Sequence, residues 1–177
     1  MEFKKWPIVG RESLFKKYGK ELQKIDFELP DGTVSDFYIH TGGRGPVCVL
    51  ALTKNQEVIL AKQFRPGPYE VLLELPGGGI DADEEPLEAM KRELLEETGY
   101  QGNLTFVTQA LESAYNTVDR YCFVATDCEK VAEPQNTATE MTEVVLMPLD
   151  EFRAHLRSGR LTDIATGYLG LDYLGLL

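Results

Sequence analysis

Three cysteines are all the thiols this chain has, and Cys48, Cys122 and Cys128 are odd in number. Neither a disulfide frame nor a zinc site fits that count. Cys48 and Cys122 fall in apolar or aromatic strand-like runs, where a thiol behaves as a small buried hydrophobe. Histidine is scarcer still. His40 closes a predicted strand and His155 lies in a predicted surface helix, so each reads as a hydrogen-bonded bystander rather than half of a catalytic pair. No Gly-x-Ser-x-Gly turn is present, which speaks against covalent catalysis by serine. Basic residues are outnumbered, 18 Lys and Arg against 29 Asp and Glu, for a formal net charge of −11. With no basic run, that field repels nucleic acid and anionic membranes. No apolar run reaches the roughly 20 residues needed to cross a bilayer. The opening Met1–Trp6 lacks the apolar core of a secretory signal, so a cytoplasmic protein is expected. Internal repeats and low-complexity tracts are absent too.

What is present is a chain of 177 residues with 43% apolar content, enough for one domain with a full core. Val47–Thr53 and Val58–Arg65 read as apolar strands joined by a turn over Lys54–Glu57. Leu104–Leu111, Tyr121–Ala125 and Val144–Met147 are also strand-like, and Glu133–Glu143 reads as a polar loop. Leu149–Arg157 has helical spacing closed by Gly159. A short tail helix within Thr162–Leu177 is expected to pack through Ile164, Leu169, Leu171 and Leu174. Ahead of these, Glu28–Thr33 predicts a hairpin turn between Ile25–Leu29 and Asp36–His40, preceded by Trp6, Phe15 and Tyr18. Periodicity alone says α+β or α/β.

The most informative stretch is Gly78–Tyr100. A glycine turn feeds a helix with Asp83 as expected N-cap, Pro86 in the first turn and Gly99 at the stop. At about 100° per residue, Leu87, Met90, Leu94 and Thr98 share a packing arc, and Glu93 and Glu97 sit side by side next to it. Glu96 lies about 60° further round from Glu93. Hard carboxylate oxygens at this density suit Mg²⁺ or Mn²⁺. A solvated acidic face with ordinary i,i+4 pairs to Arg92 is the plain alternative for any Glu-rich helix.

The spacing decides between them. Gly78, five residues, Glu84, seven residues, then Arg92-Glu93-Leu94-x-Glu96-Glu97-x-Gly99-Tyr100 matches every fixed position of the Nudix box, so the chain resembles the Nudix hydrolases. Gln63-Phe64-Arg65-Pro66-Gly67, Leu73-Glu74-Leu75-Pro76-Gly77-Gly78 and the Glu28–Thr33 turn resemble the ADP-ribose and nucleoside-diphosphate-sugar pyrophosphatase branch, whose layout residues 24–177 follow. The Ser-Pro-Gly element of that branch is replaced by Ser113-Ala114-Tyr115-Asn116-Thr117, without the proline. A tyrosine near this position is also found in dinucleoside-polyphosphate hydrolases, although a loop aromatic more often simply packs.

The resemblance implies an α/β fold of Nudix type, an α/β/α sandwich with a mixed sheet over residues 46–177, extended by an antiparallel β-hairpin element over residues 1–45 that is exchanged across a homodimer. It implies a Mg²⁺-dependent enzyme, with Mn²⁺ as substitute, that splits the pyrophosphate of a nucleoside-diphosphate sugar, ADP-ribose first. A dinucleoside polyphosphate is the alternative substrate, and a non-catalytic nucleotide-sensing or protein-binding module is the alternative of another class. The implied metal ligands are Glu93, Glu96, Glu97 and the carbonyl of Gly77, with Glu84 on an outer ion or bracing the loop. Arg92 orients the carboxylates, Glu140 is the general base with Glu143 as runner-up, and Arg65, Glu74 and Trp6 contact the substrate. Gly77, Gly78 and Gly79 are expected to let the backbone turn tightly beside the metal.

Overall fold

The computed structural model describes residues 4–138 and 141–177; Thr139 and the expected base Glu140 lie outside them. Two compact units emerge, one formed by residues up to Arg44 together with Leu111–Asp119, the other by Gly45–Ala110 with Arg120–Leu177.

The smaller unit is an antiparallel meander of β1 (Ile8–Lys17), β2 (Lys20–Glu28) and β3 (Val34–Thr41). The hairpin between β2 and β3 turns where its sequence says it should. Asp31 Oδ1 accepts from the Thr33 amide at 3.0 Å and the Thr33 hydroxyl at 2.6 Å, an aspartate turn closed by Gly32. The added strand β1 escapes the sequence reading because its register shifts twice, between Ile8 and Gly10 and between Ser13 and Phe15. Each shift breaks the period-two alternation that marks a strand. The segment Leu111–Asp119 joins this unit through the backbone: the His40 amide donates to the Tyr115 carbonyl at 2.8 Å, and the Thr117 amide to the His40 carbonyl at 3.0 Å. Tyr115 itself is half exposed.

The larger unit contains β4 (Val47–Thr53), β5 (Glu57–Arg65), β6 (Glu70–Glu74), β7 (Gly77–Gly78), α1 (Pro86–Thr98), β8 (Tyr100–Leu111), β9 (Asp119–Lys130), β10 (Thr142–Pro148), α2 (Leu149–Ser158) and α3 (Ile164–Tyr173). The sheet runs β10-β5-β4-β9-β8, with β6 on β5 and β7 on β4. Strand β4 is parallel to β9 and antiparallel to β5 and β7, so the sheet is mixed. All seven residues of β4 are buried, as expected for a central strand covered on both faces. Val47, Val49, Ala51 and Ile59 pack on Ala89, Met90 and Leu94 of α1. On the other face Cys48, Leu50, Leu52, Val58 and Leu60 meet Phe152 and Leu156 of α2 and Leu171 of α3. These two cores make the α/β/α sandwich.

Leu171 is fully buried as expected, but the close face of α3 is Gly167 and Gly170, which lie against Leu156 and Leu50, while Leu169 stays at the margin. The three cysteines are free and buried, and burial pushes the Cys48 thiol up to about 12.

Candidate active site

Helix α1 begins at Pro86, with Glu85 as an extended N-cap residue that makes no side-chain cap bond. Asp83 is therefore not the cap. It sits two positions before Glu85 with φ of 63°, in a turn that Glu84 closes: the Asp81 amide donates to Glu84 Oε2 at 3.1 Å. Met90, Leu94 and Thr98 are buried together with Ala89, whereas Leu87, at the exposed start of the helix, is 39% accessible. The helix ends where expected, at Gly99 with φ of 74°.

On the face beside this core, Arg92 gathers the carboxylates. Its Nε donates to Glu84 Oε1 at 3.0 Å and Nη2 to Glu84 Oε2 at 2.9 Å, a two-point fork. Nη1 donates to Glu93 Oε1 at 2.8 Å and Glu96 Oε2 at 3.2 Å, and Nη2 also reaches the Gly79 carbonyl at 2.9 Å. The Glu84 bonds first, then those to Glu93 and Glu96, hold the guanidinium well above its ordinary pKa. Arg92 is thus the hub of the cluster, more than one half of a helix ion pair.

Glu97 is placed from the sheet side. Its Oε2 accepts the Gly77 amide at 2.9 Å, and Gly77 is fixed by pairing with Cys48 of β4. The glycines act differently from expectation. None of Gly77, Gly78 and Gly79 has positive φ, so the sharp turn is not what selects them. For two of them space is: a Cβ on Gly78 would lie 2.4 Å from the Glu93 carboxyl carbon, and one on Gly77 2.3 Å from the Val47 carbonyl oxygen, whereas one on Gly79 would meet nothing within 4 Å. Glycine here lets β7 approach the carboxylate helix.

A second brace, invisible in the motif, holds the end of α1. The Thr142 hydroxyl donates to the Glu97 carbonyl at 2.9 Å and the Gln135 amide to the Glu96 carbonyl at 2.7 Å. Asn136 Oδ1 accepts the Thr142 amide at 2.7 Å. Strand alternation sets Glu143, the runner-up base, on the other side of β10 from this brace. Thr142 and Val144 face α1, while Glu143 points to the opposite side and pairs with Lys62 at 2.9 Å.

Arg65, at the end of β5, is 32% exposed and donates through Nε to Glu74 Oε2 at 3.1 Å. The expectation that Glu74 itself touches substrate needs correction. Its side chain is 0% exposed, and its oxygens also accept from the Thr162 amide at 2.9 Å and the Thr162 hydroxyl. Trp6 is 44% exposed and rests on Phe37 at 6.1 Å between ring centroids, beside a groove of about 470 Å³ lined by Lys4, Lys5, Ile8 and Phe27. His155 is a bystander whose Nε2 bonds the Leu73 carbonyl at 2.8 Å.

Among the described residues no three His, Cys, Asp or Glu side chains already converge as a metal cage; Arg92 and the Gly77 amide hold the carboxylates instead. The donor set nonetheless fits a hard divalent cation, since Glu93, Glu96, Glu97 and the nearby backbone carbonyls offer only oxygen. No helix is long and apolar enough to cross a membrane among the described residues.

The NUDIX domain family matches residues 43–163. The chain is 30% identical over 171 residues to the ADP-ribose pyrophosphatase of Bacillus subtilis, covering 95% of this chain and 91% of that protein. It is 30% identical over 167 residues to the GDP-mannose pyrophosphatase of Yersinia enterocolitica, covering 86% and 87%. A solved structure of an ADP compounds hydrolase superposes with a TM-score of 0.81 over 100% of both chains at 21% identity, a likeness of fold. With more than half of its residues matched to the family, and a relative this similar along nearly its whole length, the chain belongs to the Nudix family.

Proposed function

We propose that the protein hydrolyses the pyrophosphate bond of a nucleoside-diphosphate sugar, ADP-ribose first, to a nucleoside monophosphate and a sugar phosphate, with Mg²⁺ as cofactor. The observation that carries this reading is the single guanidinium that binds Glu84, Glu93 and Glu96 while Glu97 is held by the Gly77 amide. The printed names of the Bacillus and Yersinia relatives support the substrate class.

Glu93, Glu96, Glu97 and the Gly77 carbonyl would hold the divalent ion, with Glu84 bracing the loop through Arg92. When bound, the ion neutralises charge on the phosphoryl oxygens and lowers the pKa of the attacking water. The protein's own work is positional: Arg92 sets the carboxylates, Arg65 contacts a phosphate through the donors that Glu74 leaves over, and Glu140 takes the proton from water. In a phosphoryl transfer of this kind most of the catalysis is positioning and electrostatics.

The test is a product assay on ADP-ribose, GDP-mannose and a dinucleoside polyphosphate. AMP and ribose 5-phosphate are expected from ADP-ribose with Mg²⁺, and removal of the metal by a chelator is expected to abolish turnover. Full activity in metal-free enzyme, or no cleavage of any of the three with Mg²⁺ or Mn²⁺, would falsify the proposal.

The homodimer belongs to this reading. Nine of the ten residues of β1 are exposed, Ile8, Val9, Leu14 and Phe15 among them, and a strand that buries so little gains stability from a second copy. Trp6, half uncovered on the same unit, stacks on the nucleobase, a contact worth roughly 1–3 kcal/mol in other base–aromatic pairs. Trp6→Ala is expected to raise KM by about five- to a hundredfold with little change in melting temperature. The opposite pattern, a lower melting temperature or weaker dimer at unaltered KM, would make Trp6 an anchor on Phe37 only.

A further inference from the structure

We infer that Glu74 and Thr162 are positioning residues for the substrate phosphate: Glu74, buried behind Arg65 and held there by Thr162, fixes the guanidinium so that its outer edge is presented to an anion. The inference rests on the proposed phosphate contact of Arg65.

Nε and Nη2 of Arg65 both address Glu74 Oε2, each at 3.1 Å. A guanidinium has five N–H donors in a rigid plane, so engaging one edge from behind orients the remaining donors in front. The side chain is 32% exposed and Glu74 is fully buried, so the free edge is the solvent edge.

Glu74 is itself held. Its Oε1 accepts the Thr162 amide at 2.9 Å and its Oε2 the Thr162 hydroxyl. Thr162 belongs to the loop between α2 and α3, and the next residue, buried Asp163, forms an ion pair with Arg120 at the start of β9. The consecutive residues Thr162 and Asp163 therefore tie the ends of β5, β6 and β9 to the N-terminus of α3. A carboxylate with no exposure is costly to bury, and a well-packed apolar pair would serve stability as well or better. Spending it on an arginine that remains one-third exposed makes sense where the arginine's direction matters.

The experiment measures KM and kcat for ADP-ribose, together with melting temperature, in Glu74→Gln, Thr162→Val, Thr162→Ser and Arg65→Ala. In Glu74→Gln one oxygen is replaced by a donor, which must face either the Thr162 amide or Arg65. KM is expected to rise about five- to fiftyfold with kcat within about threefold. Thr162→Val, which removes only the hydroxyl, is expected to raise KM by a smaller factor, and Thr162→Ser to return it to the wild-type value. A lowered melting temperature at unchanged KM in both Glu74→Gln and Thr162→Val would assign the pair to stability alone and overturn the inference. If Arg65→Ala raises KM while those two variants do not, the phosphate contact survives and only the positioning role fails. If Arg65→Ala leaves KM untouched, the phosphate contact is wrong and the role given to Glu74 falls with it.

Discussion

Glu97→Gln is expected to lower kcat by about three orders of magnitude while the protein stays folded. An amide oxygen can still accept the Gly77 amide that now meets Glu97 Oε2 at 2.9 Å, so the contact between β7 and α1 is retained. What disappears is one negative oxygen of the proposed donor set. Losing one charged ligand from a divalent site costs several kcal/mol of transition-state stabilisation, which sets the size of the effect. The melting temperature is expected to shift by no more than about 3 °C, because neither the volume nor the acceptor changes. Near-native turnover in this variant would remove Glu97 from the reacting site. A collapsed melting transition would show that its charge holds the fold.

Arg92→Ala is the converse case, expected to damage fold and chemistry together. The guanidinium makes five hydrogen bonds, to Glu84 twice, Glu93, Glu96 and the Gly79 carbonyl. Glu84 and Glu93 are only 17% and 14% exposed, so water replaces the lost partner poorly. Removing one member of such a network is expected to cost about 2–4 kcal/mol, or a fall of about 5–15 °C in melting temperature. Activity should fall about a hundredfold or more as the carboxylates lose their orientation. Calorimetry with and without Mg²⁺ separates the two effects. The variant should gain more from the ion than the wild type does, since the carboxylates then have no other cation. An unchanged melting temperature would reduce Arg92 to a surface ion pair.

Much of this was readable along the chain because the relevant physics is local. Helix α1 announces itself through Pro86, the apolar positions Met90 and Leu94 and the stop at Gly99, and Glu93 and Glu97 fall beside its packing face by rotation alone. Strands β4 and β5 are equally plain as apolar runs around a polar turn. The misreadings share a cause. Asp83 has the right chemistry for a cap, but Glu84 is bound to Arg92 and shapes the preceding turn, moving the helix start to Pro86. Strand β1 is disguised by two register shifts.

By itself, then, the sequence determined the carboxylate helix, the glycines before it and the family, all carried by fixed spacing within about 23 residues of chain. Only the tertiary structure decided which groups meet. Glu74 finds Thr162 across a separation of 88 residues and Thr142 finds Glu97 across 45, and no periodicity encodes such pairs. Gly78 is small because Glu93 arrives against it from another element. Those contacts arise when buried polar groups must find partners once the sheet and helices close, a requirement set by the packed interior rather than by any local stretch of residues.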